Sequence, residues 1–180
     1  MSVTVSLIVV NYRTPGEVAD LLASLQTHPQ SVNYETIVVN SSPEGAYAWL
    51  DIRPAGRVLN LAENRGYGAA VNAGVAVAQG EFLLALNADI LFRDDCLGAL
   101  VERMRQAPRA GLLAPRLLGE DGELQYNVRR FYTPLAIACR RTPLGRFWPD
   151  VTRNHLLIDR NHEENFCADW ALGAALLARR

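Results

Sequence analysis

Asn87 and Asp89 close the apolar run Phe82-Leu83-Leu84-Ala85-Leu86, and their types and spacing point to chemistry more clearly than any others in the chain. One amide oxygen and one carboxylate suit a hard divalent cation shared with phosphate groups. The run is too short for an isolated helix and follows the breaker Gly80, so it predicts a strand covered on both faces of a parallel sheet. Polar residues at the carboxyl end of such a strand stand where these sheets take ligands. In an extended chain positions i and i+2 point the same way, which would turn Asn87 and Asp89 toward one ligand. The same pair equally suits the plain task of ending a strand and opening a turn.

The elements that must position this pair read as an alternation of strands and helices. Val3 to Val10 is β-branched and nearly continuous, ends in the polar tip Asn11-Tyr12-Arg13, and is followed by Thr14-Pro15-Gly16-Glu17, a capping-box spacing with Pro at the first helical position. Glu35 to Val39 predicts a second strand ending at Asn40-Ser41-Ser42, with a short helix expected from Ser42 and Pro43 through Leu50. A third strand, Arg57 to Leu61, leads into Glu63-Asn64-Arg65-Gly66-Tyr67-Gly68 and a small-faced helix over 69–78 with Asn72 in its middle. Beyond the central run, Asp94-Asp95 opens a helix to Gln106, Leu112 to Ala114 is a short strand, and Glu120-Asp121-Gly122-Glu123 is the turn of a hairpin. Over 129–165, Pro134, Pro143 and Pro149 interrupt any period, and a long, partly mobile segment is expected. Phe166 to Ala178 reads as a strand entering the core. The alternation predicts an α/β, Rossmann-like, mainly parallel sheet with helices on both faces plus a C-terminal hairpin and strand. Its division is expected as an α/β region over 1–118 and a second region of the same domain over 119–180.

A chain of 180 residues buries about 70% of its unfolded surface and needs no disulfide or metal staple to fold. Cys96, Cys139 and Cys167 are few, odd in number and widely spaced, which fits packing residues in a reducing compartment. No apolar run approaches the roughly 20 residues that span a bilayer, and Met1-Ser2-Val3 leads straight into a strand, so a cytoplasmic protein is expected. A net charge of −1 gives no reason to expect nucleic acid as a partner. Charge is unevenly spread, however: 1–128 hold nine Arg against fourteen acids, and 129–180 hold nine Arg against five. The second part therefore suits an anionic substrate or a membrane surface.

The dinucleotide fingerprint is absent after the first strand and there is no Walker loop, which removes the NAD-type and P-loop readings. The set Val5 to Tyr12, Ile37 to Ser42, Asn64-Arg65-Gly66-Tyr67-Gly68-Ala69-Ala70-Val71-Asn72-Ala73-Gly74, Leu86-Asn87-Ala88-Asp89 and Asp169-Trp170-x-x-Gly173-Ala174 resembles family 2 glycosyltransferases, and within them the rhamnosyltransferase-like branch. The resemblance covers almost the whole chain in the right order. It implies a GT-A fold that binds a nucleoside-diphosphate sugar, UDP- or dTDP-linked and carrying rhamnose by analogy with that branch. It further implies transfer with inversion to a glycan or lipid-linked acceptor, at the inner face of a membrane.

By that resemblance Tyr12 would pack on the nucleobase, with Asn11 and Arg13 beside it; a half-buried packing aromatic is the plainer alternative for Tyr12. Asn40 stands where the family usually has an acid that reads the base. Asn64, Gly66 and Asn72 match positions around the nucleotide and donor sugar, and Arg65 could reach a phosphate, although the glycines equally serve a tight turn and helix packing. Asp89 matches the metal-binding acid, with Asn87 in place of its partner acid, and implies Mg²⁺ or Mn²⁺. The family's general base lies in an acidic motif downstream of the Trp-x-x-Gly-Ala strand, and the sequence reaches Arg180 before one, so Asp169 is the nearest in-chain substitute. Its other reading is a carboxylate that fixes the Trp170 strand. His155 and His162 are expected to be solvated loop residues. Two further readings are open, a module that binds nucleotide sugar without transferring it and a sugar-phosphate nucleotidyltransferase.

Overall fold

The computed structural model describes residues 2–42 and 56–180. In chain order its elements are β1 (Val5–Asn11), α1 (Pro15–Thr27), β2 (Tyr34–Asn40), β3 (Gly56–Asn60), α2 (Tyr67–Val77), β4 (Phe82–Asn87), α3 (Cys96–Gln106) and β5 (Leu112–Leu113). There follow β6 (Leu117–Leu118), β7 (Leu124–Gln125), β8 (Val128–Arg129), α4 (Pro134–Arg141), a 3₁₀ turn Pro143–Arg146, α5 (Pro149–His155), β9 (Trp170–Ala171) and β10 (Ala175–Arg179). The helix expected after Ser42 falls, from Pro43 on, outside the described residues. The chain forms two compact units, Met1–Leu113 with Gly173–Arg180, and Ala114–Leu172.

The first unit is a six-stranded sheet in the order β3-β2-β1-β4-β10-β5. β1 to β4 are mutually parallel, and β10 runs antiparallel between β4 and β5. Its continuous apolar strands follow from burial on both faces, as the sequence requires of a parallel sheet. On one face Ile8, Val10, Ile37 and Val39 pack against α2, where a Cβ at Gly74 would stand 2.5 Å from Ile8 Cγ2. Gly74 is thus the residue that lets α2 lie close on the sheet. On the other face Leu7, Val9, Val38, Leu84 and Leu86 are buried, with Val18, Leu21, Leu22 and Leu25 of α1 and Leu97, Val101 and Met104 of α3 to cover them. The order reverses at β1: β2 and β3 lie to one side and β4 to the other. Such a switch point opens a crevice beyond the carboxyl ends of its two strands, here those of β1 and β4.

The second unit corrects the expectation of a long irregular segment. Pro134, Pro143 and Pro149 start helical turns rather than breaking them, because proline at the first helical position removes an N–H that has no partner there. Thr133 and Thr142 cap the first two, accepting from Ala136 N and Leu144 N. The expected hairpin forms between β6 and β7, with Gly122 at a φ of 82° in its turn. The single strand expected over 166–178 divides into β9, paired with β8, and β10 in the central sheet. All three cysteines are free; Cys139 is buried as packing requires, but Cys167 is exposed.

Candidate functional site

Each of the four parallel strands ends in asparagine, and their register decides what each amide does. Asn11, Asn40 and Asn60 are direct partners across β1, β2 and β3, so they share one face. Asn11 Nδ2 donates to Asn40 Oδ1 at 3.1 Å, and Asn40 Nδ2 donates to Asn60 Oδ1 at 2.9 Å. Asn11 Oδ1 accepts from Thr14 N and Thr14 Oγ1, holding the start of α1; the capping box read from Thr14 and Glu17 is replaced by this bond, and Thr14 makes no side-chain cap. Asn40 Oδ1 also accepts from Ser42 N. Asn11 and Asn40, both buried, therefore spend their amides on each other and on the strand tips. Asn60, which closes this row, was not anticipated; its signal was a third asparagine ending a third parallel strand.

Asn87 is different because it pairs with Val10, one place out of step with Asn11, and so belongs to the opposite face, that of α2. Its N–H donates to Ala174 O at 2.8 Å, just before β10. Asp89 lies beyond the strand in a turn, where Ile90 N reaches back to Asn87 O at 3.4 Å. The i, i+2 alternation read from the sequence therefore does not extend to Asp89, which is exposed while Asn87 is partly buried. Close by is Tyr67, the first residue of α2, whose hydroxyl donates to Gly173 O at 3.0 Å. Its phenol pKa is raised, first by burial and then by the negative charge of Asp89. Tyr67 thus joins the start of α2, the turn after β4 and the approach to β10. It stood in the glycine-rich segment as its one aromatic, and the sequence reading passed over it.

Across the switch point, Tyr12 follows β1 and is 45% exposed, so that about half of the side chain meets solvent. The Arg13 guanidinium carbon lies 5.6 Å from the centre of that ring, and Arg13 itself has a φ of 62° with its N–H on Ser42 Oγ. On the approach to α2, Asn64 Oδ1 accepts from Gly66 N at 2.8 Å, and Arg65 is exposed and paired with Glu63. Gly66 has a φ of 89°, which explains glycine there, and a Cβ at Gly66 or Gly68 would meet nothing within 4 Å. Asn72 is exposed and Ala70 and Gly74 are buried, so Asn72 is on the solvent side of α2.

Asp169 belongs to the second unit. Its Oδ2 accepts from Phe131 N at 2.8 Å and its N–H donates to Arg129 O, which fixes the β8 and β9 pairing beside Trp170. His155 corrects the expectation of a solvated loop: it is 3% exposed at the end of α5, its ring centre 4.3 Å from that of Tyr132. His162 stacks edge-on with Tyr126 and Phe166 and bonds Leu157 O.

Among the described residues no three His, Cys, Asp or Glu side chains gather to cage a metal. The exposed Asp89 carboxylate, two residues after the Asn87 amide, supplies oxygen donors of the kind a Mg²⁺-type ion takes alongside substrate phosphates and water.

A parallel sheet with its switch point between β1 and β4, closed by an antiparallel strand, is the GT-A fold, and similar solved structures share it. A mannosyltransferase, PcManGT from Pyrobaculum calidifontis in complex with GDP-Man and Mn²⁺, superposes with a TM-score of 0.60 at 19% identity, covering 100% of this chain and 45% of its own. S. aureus TarS 1-349 gives 0.58 at 20% identity over 71% of this chain and 41% of its own. The chain belongs to glycosyl transferase family 2, whose family model matches residues 6–169. An N-acetylglucosaminyl-diphospho-decaprenol L-rhamnosyltransferase of Mycobacterium tuberculosis (strain CDC 1551 / Oshkosh) is 26% identical over 193 residues. The chain spans 62% of that relative's length, while the match takes in 100% of the chain.

Proposed function

We propose that this chain binds a nucleoside-diphosphate sugar across the β1 and β4 tips and passes the sugar, with inversion, to a glycan or lipid-linked diphosphate acceptor. The observation that carries the reading is the switch point itself, with exposed Tyr12 and Arg13 on one side and Asn87, Asp89 and Tyr67 on the other. In this reading Tyr12 stacks on the base and Arg13 and Arg65 meet the diphosphate. The open backbone at Gly66 and Gly68 admits the donor, and Asn64 and Asn72 line its approach. Asn11 and Asn40 hold the tips in place rather than reading the base. Asp89 with Asn87 would hold Mg²⁺ or Mn²⁺ against the diphosphate. Such an ion, when bound, supplies positive charge to the leaving group. Rhamnose as the sugar and a lipid-linked diphosphate as acceptor follow by analogy with the mycobacterial relative's name. A UDP or dTDP carrier, polysaccharide assembly and a cytoplasmic site at the inner membrane face belong to the same reading through the family resemblance alone.

A second reading, a module that binds donor without transferring it, draws on Asp169, whose Oδ2 accepts from Phe131 N and so serves to hold the Trp170 strand. Calorimetry with UDP, dTDP, GDP and their sugars, with and without Mn²⁺, tests the first reading. Asp89→Ala should remove the metal-dependent part of binding, at least about tenfold in affinity, if the ion bridges protein and diphosphate. Nucleotide binding that is indifferent to both Mn²⁺ and Asp89→Ala would sink it. Detectable transfer that survives Asp169→Asn would remove Asp169 as the base.

A further inference from the structure

The second unit carries a surface that nothing in its own fold covers. Between Glu123 and Asp150 the chain has no acid and five arginines. Over the same stretch Phe131 is 69% exposed, Phe147 76% and Trp148 51%, and Leu135, Ile137 and Leu144 are exposed as well. α4 explains how these come together. Its Ala136 and Cys139 turn inward, which leaves Ile137 and Arg141, neighbours four apart, on its outer side. The chain then turns through the 3₁₀ segment and presents Arg146, Phe147 and Trp148, all exposed.

We infer that α4 and the 3₁₀ turn after it dock on an anionic lipid surface, with Phe147 and Trp148 entering the headgroup boundary and Arg141 and Arg146 meeting the phosphates. Two observations favour lipid over a protein partner. Exposed aromatic and aliphatic side chains are interspersed with cations along α4 and the turn after it, the composition of an interfacial segment. Within 124–149 the charge is of one sign, exposed Asp150 following just beyond it; Asp159, 3.7 Å from Arg130, and Asp169, on Phe131 N, engage this stretch, and among the described residues no acid is paired with Arg141 or Arg146. A row of arginines without interleaved acids is attracted to anionic headgroups and repelled by a second copy of itself. The inference deepens the reading of a lipid-linked acceptor, since it would bring the enzyme to the plane in which such an acceptor lies.

Co-sedimentation of the full chain with vesicles of phosphatidylcholine, alone or mixed with phosphatidylglycerol, tests it. Binding should require phosphatidylglycerol, weaken as salt rises, and fall at least about tenfold in Phe147→Ser with Trp148→Ser and in Arg141→Glu with Arg146→Glu. Both pairs are surface changes that should leave the thermal unfolding midpoint and nucleotide binding as in the native chain, whereas Asp89→Ala should spare vesicle binding. The two readings can thus fail separately. Equal binding to neutral vesicles, no binding, or native binding by both pairs would overturn the inference. So would self-association in the absence of vesicles that Phe147→Ser with Trp148→Ser abolishes, which would assign the face to a second copy.

Discussion

In the α/β unit the sheet interior is mainly apolar from Val5 through Leu177, with buried polar groups at the strand ends such as Ser6, which donates to Glu35 Oε1, and Asn11 with Asn40, whereas in the unit spanning Ala114–Leu172 the buried apolar side chains among the described residues are Ala136, Cys139 and Leu157. The second unit relies instead on stacked rings and guanidinium groups. Tyr132 lies between His155 and Trp170, with Arg140 over Tyr132 and Arg129 over Trp170. Trp170 Nε1 donates to Arg130 O, and Arg140 Nη1 donates to the Tyr132 hydroxyl. Hydrophobic burial scales with area and is indifferent to charge state, while this cluster encloses a buried imidazole, His155, beside guanidinium groups that oppose its protonation. The first unit should therefore be sensitive to lost volume and the second to protonation.

The largest effect should come from Phe82→Ala. Phe82 is fully buried at the start of β4, between β1 and β10, with the Arg105 and Arg179 guanidinium groups near its ring. Removing it should cost about 3–5 kcal/mol in chemical denaturation. A loss under about 1 kcal/mol would mean that the sheet interior is not the source of stability claimed for it.

Next in size is Asn40→Ala, which probes the asparagine row at the carboxyl ends of the strands, the amino ends of β1 and β2 holding a separate buried polar pair in Ser6 and Glu35. It would strip partners from the Asn11 Nδ2, Ser42 N and Asn60 Oδ1 atoms, at about 1–3 kcal/mol for each that stays dry. If the row only holds the strand tips, nucleotide affinity should fall no more than stability predicts. A selective loss of binding to one base, with stability unchanged, would return Asn40 to the role of reading the base.

The contrast between the units also explains what could be read from sequence. Continuous β-branched runs, breakers at Gly80 and Pro15, and the hairpin at Asp121-Gly122 are local signals, and β1 to β4, α1 to α3, β6 and β7 all appear within a few residues of the expected places. Register is not local. Which asparagines are spent on one another and which one faces α2 depends on a one-residue offset between β1 and β4 that the sequence does not carry. The shared face expected of Asn87 and Asp89 was misjudged, since the strand stops at Asn87 and Asp89 lies in the turn after it. In the second unit the prolines were legible as punctuation but ambiguous between stopping and starting a helix, and Thr133 and Thr142 just before two of them were the unused cue. His155 was misjudged because polar neighbours in sequence say nothing about the ring that closes over a residue in space.

The smallest expected effect is the pH response of His155, and it separates the two units most cleanly. Burial first, then the positive charges of Arg140 and Arg129, hold its pKa below the ordinary value of 6.5. Arg140 Nη1 is 3.4 Å from His155 Nε2, so a proton on that nitrogen would face a guanidinium. In the unfolded chain the imidazole takes up its proton near 6.5; in the folded chain it does so only at lower pH. Between those two points the unfolded state binds more protons, so stability must fall as pH drops below about 6.5 and level off once the folded form is also protonated. His155→Gln keeps a neutral acceptor toward Arg140 and removes the titration. Denaturation at about pH 7.5 and about pH 5.5 should therefore show a smaller pH-dependent loss in His155→Gln than in the native chain. His28, the carboxylates and His162 are common to both chains and cancel in the difference. An identical slope in the two would mean that the ring cluster admits the proton without penalty, and the second unit would then be no more pH-sensitive than the sheet.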